Sequence, residues 1–200
     1  ALICGRHRFP IETDDDELNE LIGNNRLSEW YLATARDLDS IAPKTPDDIY
    51  KNYLVDQRSA PSTANSHMQN LASTFVNGFA NAGYGKDKLL ATEGTTYLYQ
   101  TKDHRMMSAA ASIGLVHLWD HNEGPSGVDK YTYSDENYIK AGALLATGLV
   151  MTSIRSPFDP AIALLQDYLA NTHREVRIGA ILGLGYAYTG SQKDDVKDLL

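Results

Sequence analysis

Few residues in this sequence could do chemistry, and the clearest candidates are two histidines. His117 and His121 lie four residues apart, which on a helix places their imidazoles one turn apart, a spacing that a zinc site can use. A zinc metalloprotease motif needs glutamate directly after the first histidine, and that position is Leu118. The sequence therefore favours a polar helix end here over a metal site.

The other candidate groups lack the partners that their chemistry needs. Gly183 and Gly185 do not have the spacing of a dinucleotide-binding loop. Cys4 has no base partner that the sequence places beside it, and neither a nucleophile elbow nor a lysine-containing phosphate loop occurs. Asp47 and Asp48 are typical of a solvated helix start. We predict no catalytic residue, no cofactor and no bound metal.

Glycines recur with a long period. Four segments each begin with a small residue and carry a glycine six places later. These segments are 72–80, 108–116, 142–150 and 179–187, and their glycines are Gly78, Gly114, Gly148 and Gly185. The steps between successive glycines are 36, 34 and 37 residues, which is the period of a helix-turn-helix repeat array. In each segment we call the first small residue the head: Ala72, Ser108, Gly142 and Gly179.

The glycine spacing predicts how the helices pack. At about 100° per residue, two positions six apart, such as Gly142 and Gly148, point about 240° away from each other, so they face two different neighbours. Seven glycines inside such helices would together cost roughly 6–7 kcal/mol relative to alanine. Close approach to the helix before and the helix after would offset that cost. These helices should form a buried inner layer.

Segments of mixed apolar and charged character lie between the inner helices. A tyrosine stands eleven places before the head in three copies, at Tyr97, Tyr131 and Tyr168. Asp159 is placed as an N-cap and Pro160 as the first helical residue of one such segment. The pattern predicts outer helices with one wet face, joined by short polar turns to the inner helices. We predict an all-α fold, a helix-turn-helix repeat array that forms a segment of an α-solenoid or toroid.

Specific phrases of the sequence resemble a known family. Ala141-Gly-Ala-Leu-Leu-Ala-Thr-Gly148 and Ile178-Gly-Ala-Ile-Leu-Gly-Leu-Gly-Tyr-Ala-Tyr-Thr-Gly-Ser191 resemble proteasome/cyclosome repeats. Further phrases resemble the larger-repeat scaffolds of the proteasome regulatory particle base within that family, and one of them overlaps the first of these segments. They are Pro46-Asp-Asp-Ile-Tyr50, Phe75-Val-Asn-Gly78, Ser108-Ala-Ala-Ala-Ser112, Asp129-Lys-Tyr131 and Ile139-Lys-Ala-Gly-Ala-Leu-Leu145. The resemblance covers nearly the whole chain and is weakest from Arg8 to Asn25.

The resemblance implies a non-catalytic scaffold in the cytoplasm and nucleus. Its implied partners are the ATPase ring subunits, ubiquitin, ubiquitin-like domains of shuttle factors and a deubiquitinase. The family's receptor surfaces lie on successive outer helices, and ubiquitin's recognition face is apolar with a basic rim. The matching aliphatic and acidic candidates here are Val128, Asp129, Asp135 and Glu136.

An α/α-toroid enzyme with an inner-rim active site is the alternative function. It requires polar residues that converge on the inner helices, and these are nearly absent from Ala141 to Met151.

Composition limits the remaining function classes. The 200 residues carry a net charge of −8, which argues against nucleic-acid binding, since that depends on lysine and arginine contacts to phosphates. The lone Cys4 cannot form an internal disulfide, and no Asn-x-Ser/Thr acceptor occurs, as in cytosolic or nuclear proteins. The uncharged run 141–154 would rise only about 21 Å, too short to cross a membrane.

The chain divides into two parts by its sequence pattern. Residues 1–62 form a predicted pre-repeat helical segment, and residues 63–200 hold about four repeats, the last of them truncated. In the first part, Glu12–Glu20 is predicted to be an acidic helix start, and Thr45-Pro46 the start of another helix. A loop is predicted at Arg58–Ser66. We expect the chain to be part of a longer protein.

Overall fold

The computed structural model describes residue 4 and residues 11–23, 25–50, 63–120 and 122–200. These residues form eleven α-helices and no strand, so the predicted all-α fold is confirmed. The described chain divides into two compact units, residues 1–42 and 43–200. The predicted boundary at residue 62 remains a prediction.

The first unit contains helices α1 (Asp16–Ile22) and α2 (Asn25–Asp37). Asp15 is the N-cap of α1, and its carboxylate accepts hydrogen bonds from the backbone N–H groups of Glu17 at 2.9 Å and Leu18 at 3.3 Å. The acidic segment is therefore a helix start, as predicted, because its first-turn carboxylates lie at the positive end of the helix dipole.

The second unit begins with a short capped helix, α3 (Pro46–Tyr50). The hydroxyl of Thr45 accepts a hydrogen bond from the Asp48 N–H at 3.1 Å, and the Asp48 carboxylate accepts one from the Thr45 N–H at 2.8 Å. This reciprocal pair satisfies two N–H groups at the helix start and confirms the predicted helix. Hydrogen bonds to the Asp48 carboxylate, first from the backbone N–H of Thr45 and then from its side chain, lower the pKa of Asp48.

The rest of the second unit alternates between inner and outer helices. The inner helices are α4 (Thr63–Ala80), α6 (His104–Val116), α8 (Asn137–Val150) and α10 (Arg174–Ala187). The outer helices are α5 (Leu89–Tyr99), α7 (Gly124–Thr132), α9 (Pro160–Leu165, continued by a 3-10 turn Gln166–Tyr168) and α11 (Asp194–Leu199). Each inner helix packs against the next, α4 on α6, α6 on α8 and α8 on α10.

One contact register recurs between successive inner helices. The glycine six residues after each head lies against the residue four after the head of the next inner helix: Gly78 on Ser112, Gly114 on Ala146 and Gly148 on Gly183. A methyl group at Gly114 would lie 2.5 Å from the carbonyl oxygen of Ala146, and one at Gly148 would collide with the Gly183 backbone. At Gly114 and Gly148 no side chain fits, because the backbones of the two helices are in direct contact.

The head glycines face the other way. A methyl group at Gly142 would collide with the backbone of Met107 on the preceding inner helix, and one at Gly179 with the backbone of Ala141. The two glycines of α8 therefore contact two different neighbours, as their spacing predicts. Gly185 follows the pattern in sequence only, because nothing lies within 4 Å of its added methyl group among the described residues.

All four inner helices end in the same backbone geometry. The residue eleven places after each head has a positive φ: 73° at Gly83, 68° at Trp119, 62° at Ser153 and 67° at Gly190. Each of these residues lies three places beyond the last residue of its inner helix, where a left-handed backbone redirects the chain, and glycine adopts it without strain. Two copies place an L-residue there, at a cost of about 1–2 kcal/mol each.

Two local predictions need correction. Asp159 precedes Pro160 at the start of α9, but its backbone is left-handed and its side chain forms no cap bond. The carboxylate instead pairs with the ammonium of Lys193 and accepts a hydrogen bond from the Tyr188 hydroxyl at 3.2 Å. The loop predicted at 58–66 lies outside the described residues up to position 62, whereas residues 63–66 belong to α4.

Other predictions agree with the structure. The short polar links 101–104, 134–137 and 171–174 lie at the turns between outer and inner helices. His117 follows the end of α6, so the first histidine of the pair is at a helix end, as predicted, and His121 lies outside the described residues. No helix in the described part of the chain is both long and apolar enough to cross a bilayer.

Candidate partner-binding surface

A groove on the outer face runs between α7 and α9. It encloses about 320 Å³ and is floored by Leu144 and Thr147 of the inner helix α8. Four larger side chains form its walls. On one side are Asp129 of α7 and Tyr133, the C-cap of α7; on the other are Leu164 of α9 and Tyr168 of the 3-10 turn. We call this surface the α7–α9 groove. Its walls combine aliphatic, aromatic and acidic groups.

The helix period explains which side chains of α7 reach the groove. Gly124, Val128 and Tyr131 are spaced four and three residues apart, and they form the buried face of α7. Asp129 is one residue from that face, or about 100° around the helix, and is exposed toward α9. The outer helix therefore presents its carboxylate beside the groove because its apolar face is fixed against the inner layer.

The groove is exposed at its rim and more buried toward its base. Tyr133 is 74% exposed and Leu164 is 46% exposed, so two apolar surfaces face solvent at the rim. Burial raises the pKa of the deeper Tyr168, and the charges of Tyr133, Asp129 and Asp167 raise it further. The Tyr168 hydroxyl is therefore a neutral hydrogen-bonding group near neutral pH, beside the negative charges of Asp129 and Asp167.

The structure separates the four residues that the sequence grouped together. Val128 is 0% exposed and belongs to the hydrophobic core, so its side chain is not available to a partner. Asp129 lies in the groove, and Asp135 is exposed in the turn before α8. Glu136 is the residue before α8, on the side of Tyr138. Burial raises the pKa of that tyrosine, and the carboxylates of Glu175, Asp103 and Glu136 raise it further.

Sequence reasoning missed Tyr133, Leu164 and Tyr168 as members of this surface. The repeat pattern identifies Tyr168 only as a repeat position. Tyr133 and Leu164 line the groove because of where α7 and α9 end, and those ends were not predicted. An available signal was the pair of apolar residues Tyr133 and Leu164 at positions outside the buried stripe of each helix.

The buried polar groups of the inner helices serve structure. The hydroxyl of Thr147 donates to the Ala143 carbonyl at 3.0 Å, and that of Ser112 donates to the Ala109 carbonyl at 2.7 Å. The buried Asn81 side chain bonds both the N–H and the carbonyl of Lys44, at 2.9 and 2.8 Å. Within the described residues, no three His, Cys, Asp or Glu side chains are grouped to hold a metal ion.

The chain is similar in sequence to one family of proteasome regulatory subunits. The family model described as the RPN1 N-terminal domain matches residues 1–55. The chain is 41% identical, over all 200 of its residues, to the 26S proteasome non-ATPase regulatory subunit 2 of Dictyostelium discoideum. It is 41% identical to the 26S proteasome regulatory subunit rpn-1 of Neurospora crassa and 42% identical to rpn1 of Schizosaccharomyces pombe, again over 100% of the chain.

The matches cover only part of each relative. The chain spans 22% of the Dictyostelium protein and 23% of each fungal one, about a fifth of their length. The similarity extends through both compact units of the chain, since it covers the pre-repeat segment and the repeats alike.

Proposed function

Since this chain belongs to the family of the 26S proteasome regulatory subunit called non-ATPase subunit 2 or Rpn1, we propose that it is a non-catalytic scaffold segment of the proteasome regulatory particle. In this role the inner layer sets the spacing of the outer helices, and the outer helices bind partners in ubiquitin-dependent protein degradation. The cytoplasm and nucleus are the proposed compartments.

The α7–α9 groove is the proposed docking surface for ubiquitin or a ubiquitin-like domain. The observation that carries this proposal is its combination of an exposed aromatic, an exposed aliphatic and an acidic side chain: Tyr133, Leu164 and Asp129. An apolar recognition face with a basic rim is complementary to such a surface in both apolar area and charge. Shuttle factors and a deubiquitinase would present such a domain, and the ATPase ring subunits are further proposed partners.

Charge reversal inside the groove tests the proposal. A titration of an isotope-labelled ubiquitin-like domain with the chain gives the dissociation constant and the shifted amides. Asp129→Lys should weaken binding about threefold to tenfold, because it replaces an attraction with a repulsion at the contact. Asp195→Lys makes the same charge change on α11, outside the groove, and should change binding less than about twofold.

Truncation of the two rim side chains tests the apolar part of the contact. Tyr133→Ala and Leu164→Ala should each weaken binding by about 1–2 kcal/mol if they are buried under the partner. Glu136→Lys is a separate arm, because Glu136 lies beside Tyr138 and not in the groove. Loss of binding in Glu136→Lys with unchanged binding in Asp129→Lys would move the site to the start of α8. No binding by the unmodified chain would remove the docking role.

A further inference from the structure

Helix α7 has two exposed flanks of opposite charge. Asp129 lines the groove toward α9, while the next residue, Lys130, lines a second groove toward α5. Adjacent residues on a helix point about 100° apart, so one outer helix contributes a carboxylate to one gap and an ammonium group to the other. We call the second surface the α5–α7 groove.

The α5–α7 groove encloses about 240 Å³ and has an apolar floor. Ile113 and Val116 of the inner helix α6 form part of this floor with the ring of His117. Lys86, from the turn before α5, lines the groove together with Lys130 on α7. Two exposed ammonium groups therefore lie over a largely aliphatic base.

The one carboxylate that lines this groove is already engaged. A carboxylate oxygen of Asp87 accepts hydrogen bonds from the Asn77 side chain at 2.7 Å and from the Leu90 N–H at 2.8 Å. The second bond caps the first turn of α5, whose N-terminus carries partial positive charge. Asp87 is thus held in place by amide groups of the fold on one of its carboxylate oxygens.

The lysines lack such compensation. Within the described residues, neither Lys86 nor Lys130 forms an ion pair with a carboxylate. The ammonium of Lys130 lies 4.8 Å from the centre of the Tyr131 ring, a contact that leaves its N–H groups able to donate to an anion. At the floor, the Nδ1 atom of His117 is buried without a hydrogen-bond partner. Among the described residues, the groove therefore offers two ammonium groups that no carboxylate pairs with.

We propose that the α5–α7 groove binds an acidic peptide segment of a partner protein. Carboxylates of that segment pair with Lys86 and Lys130, and an apolar side chain between them packs on Ile113 and Val116. The net charge of −8 does not prevent this, because charges farther than about 8 Å are largely screened at physiological ionic strength. The inference uses a different groove from the proposed ubiquitin-like docking surface and does not depend on it.

Three labelled peptides of equal length test the proposal. One alternates glutamate with leucine, one replaces every glutamate with glutamine, and one carries phosphoserine in place of glutamate. Fluorescence anisotropy with the whole chain gives the affinity of each. The glutamate peptide should bind at least about fivefold more tightly than the glutamine peptide, since only the former forms charge-assisted bonds.

A matched pair of double variants locates the binding. Lys86→Glu with Lys130→Glu should weaken the glutamate peptide at least about fivefold. Lys102→Glu with Lys197→Glu has the same net charge, alters exposed lysines outside the groove and should change the affinity less than about twofold. Asp129→Lys, on the opposite flank of α7, should not weaken it. Circular dichroism checks that each variant remains helical.

Several results would overturn the proposal. Equal binding of the glutamate and glutamine peptides would show that carboxylates are not recognised. Equal weakening by both double variants would show that only overall charge matters. Binding of the phosphoserine peptide alone would identify a phosphate site instead.

Discussion

The inner and outer layers of the repeat unit differ in how much they vary. From α6 to α10, the same positions of successive inner helices meet at both steps, Gly114 on Ala146 and Gly148 on Gly183, with backbone against backbone. Between outer helices, the two grooves are built from corresponding elements but differ in charge, with Asp129 in one and Lys86 and Lys130 in the other.

This difference shows where each constraint originates. These two inner contacts leave no room for even one added methyl group, so the residue type there is dictated by sterics. An outer groove needs only the buried stripe of each helix, such as Val128 and Tyr131 on α7, to remain apolar. The flanking positions are therefore available for charges that select different partners.

Gly148→Ala should have the largest effect of the substitutions that test this contrast. The added methyl group would collide with the Gly183 backbone, which cannot move without separating α8 from α10. We expect a loss of about 3 kcal/mol in the free energy of unfolding, at the upper end for an overpacked site. Urea unfolding followed by circular dichroism measures it.

Gly185→Ala is the matched control at the same repeat position. Nothing described lies within 4 Å of the added methyl group, and alanine is the better helix former. Stability should rise by up to about 1 kcal/mol. Equal effects of the two substitutions would contradict the proposed register.

The second test concerns the first inner step, where Gly78 approaches only side chains of α6. There the end of α4 is held by polar contacts, since the completely buried Asn81 bonds both backbone groups of Lys44 and also donates to Asn77. Asn81→Ala should lower the free energy of unfolding by about 2 kcal/mol, because hydrogen bonds to buried groups are lost. Asn122→Ala, in an exposed turn, should have little effect in the same assay.

The smallest expected effect lies on the outer side, at the pair Asp159 and Lys193. The hydrogen bond from Lys193 lowers the pKa of Asp159 below the ordinary aspartate value of 3.8, against the opposing effect of burial. Since the folded pKa is the lower one, the pair stabilises the fold above pH 3.8, and this contribution is lost as the pH falls through the folded pKa.

Asp159→Asn should therefore lower the urea midpoint of unfolding only slightly at pH 7, because a partly exposed ion pair contributes little net stability. The difference from the unmodified chain should shrink as the pH falls below 4. Asp195→Asn on α11 serves as the comparison. A difference that stays constant from pH 7 to pH 3 would show that the effect does not come from the ionised pair.

The repeat architecture could be predicted because local sequence alone determines it. The spacing of Gly142 and Gly148 fixes two helix faces through the 3.6-residue period, and the structure places different neighbours on those faces. The capping pair at Thr45 and Asp48 is equally local, since both partners lie within one turn.

The two grooves could be predicted only in part because they depend on which flank of an outer helix meets which neighbour. Asp129 and Val128 are adjacent in sequence, yet one is exposed in a groove and the other is completely buried. Asp159 shows the same limit, because its ion-pair partner lies 34 residues away on another turn. Patterns within one helix do not reveal partners contributed by the next repeat.

The left-handed residue that follows each inner helix marks the point after which the repeats differ in length. In three repeats, the number of residues from the tyrosine before the head to this left-handed residue is constant. By contrast, 13, 11 and 14 residues lie between the left-handed residues Gly83, Trp119 and Ser153 and the next such tyrosine. Insertions and deletions are thus confined to the stretch that supplies Lys86, Lys130 and Leu164. Recognition surfaces can be remodelled by length as well as by substitution while the stacked layer keeps its register.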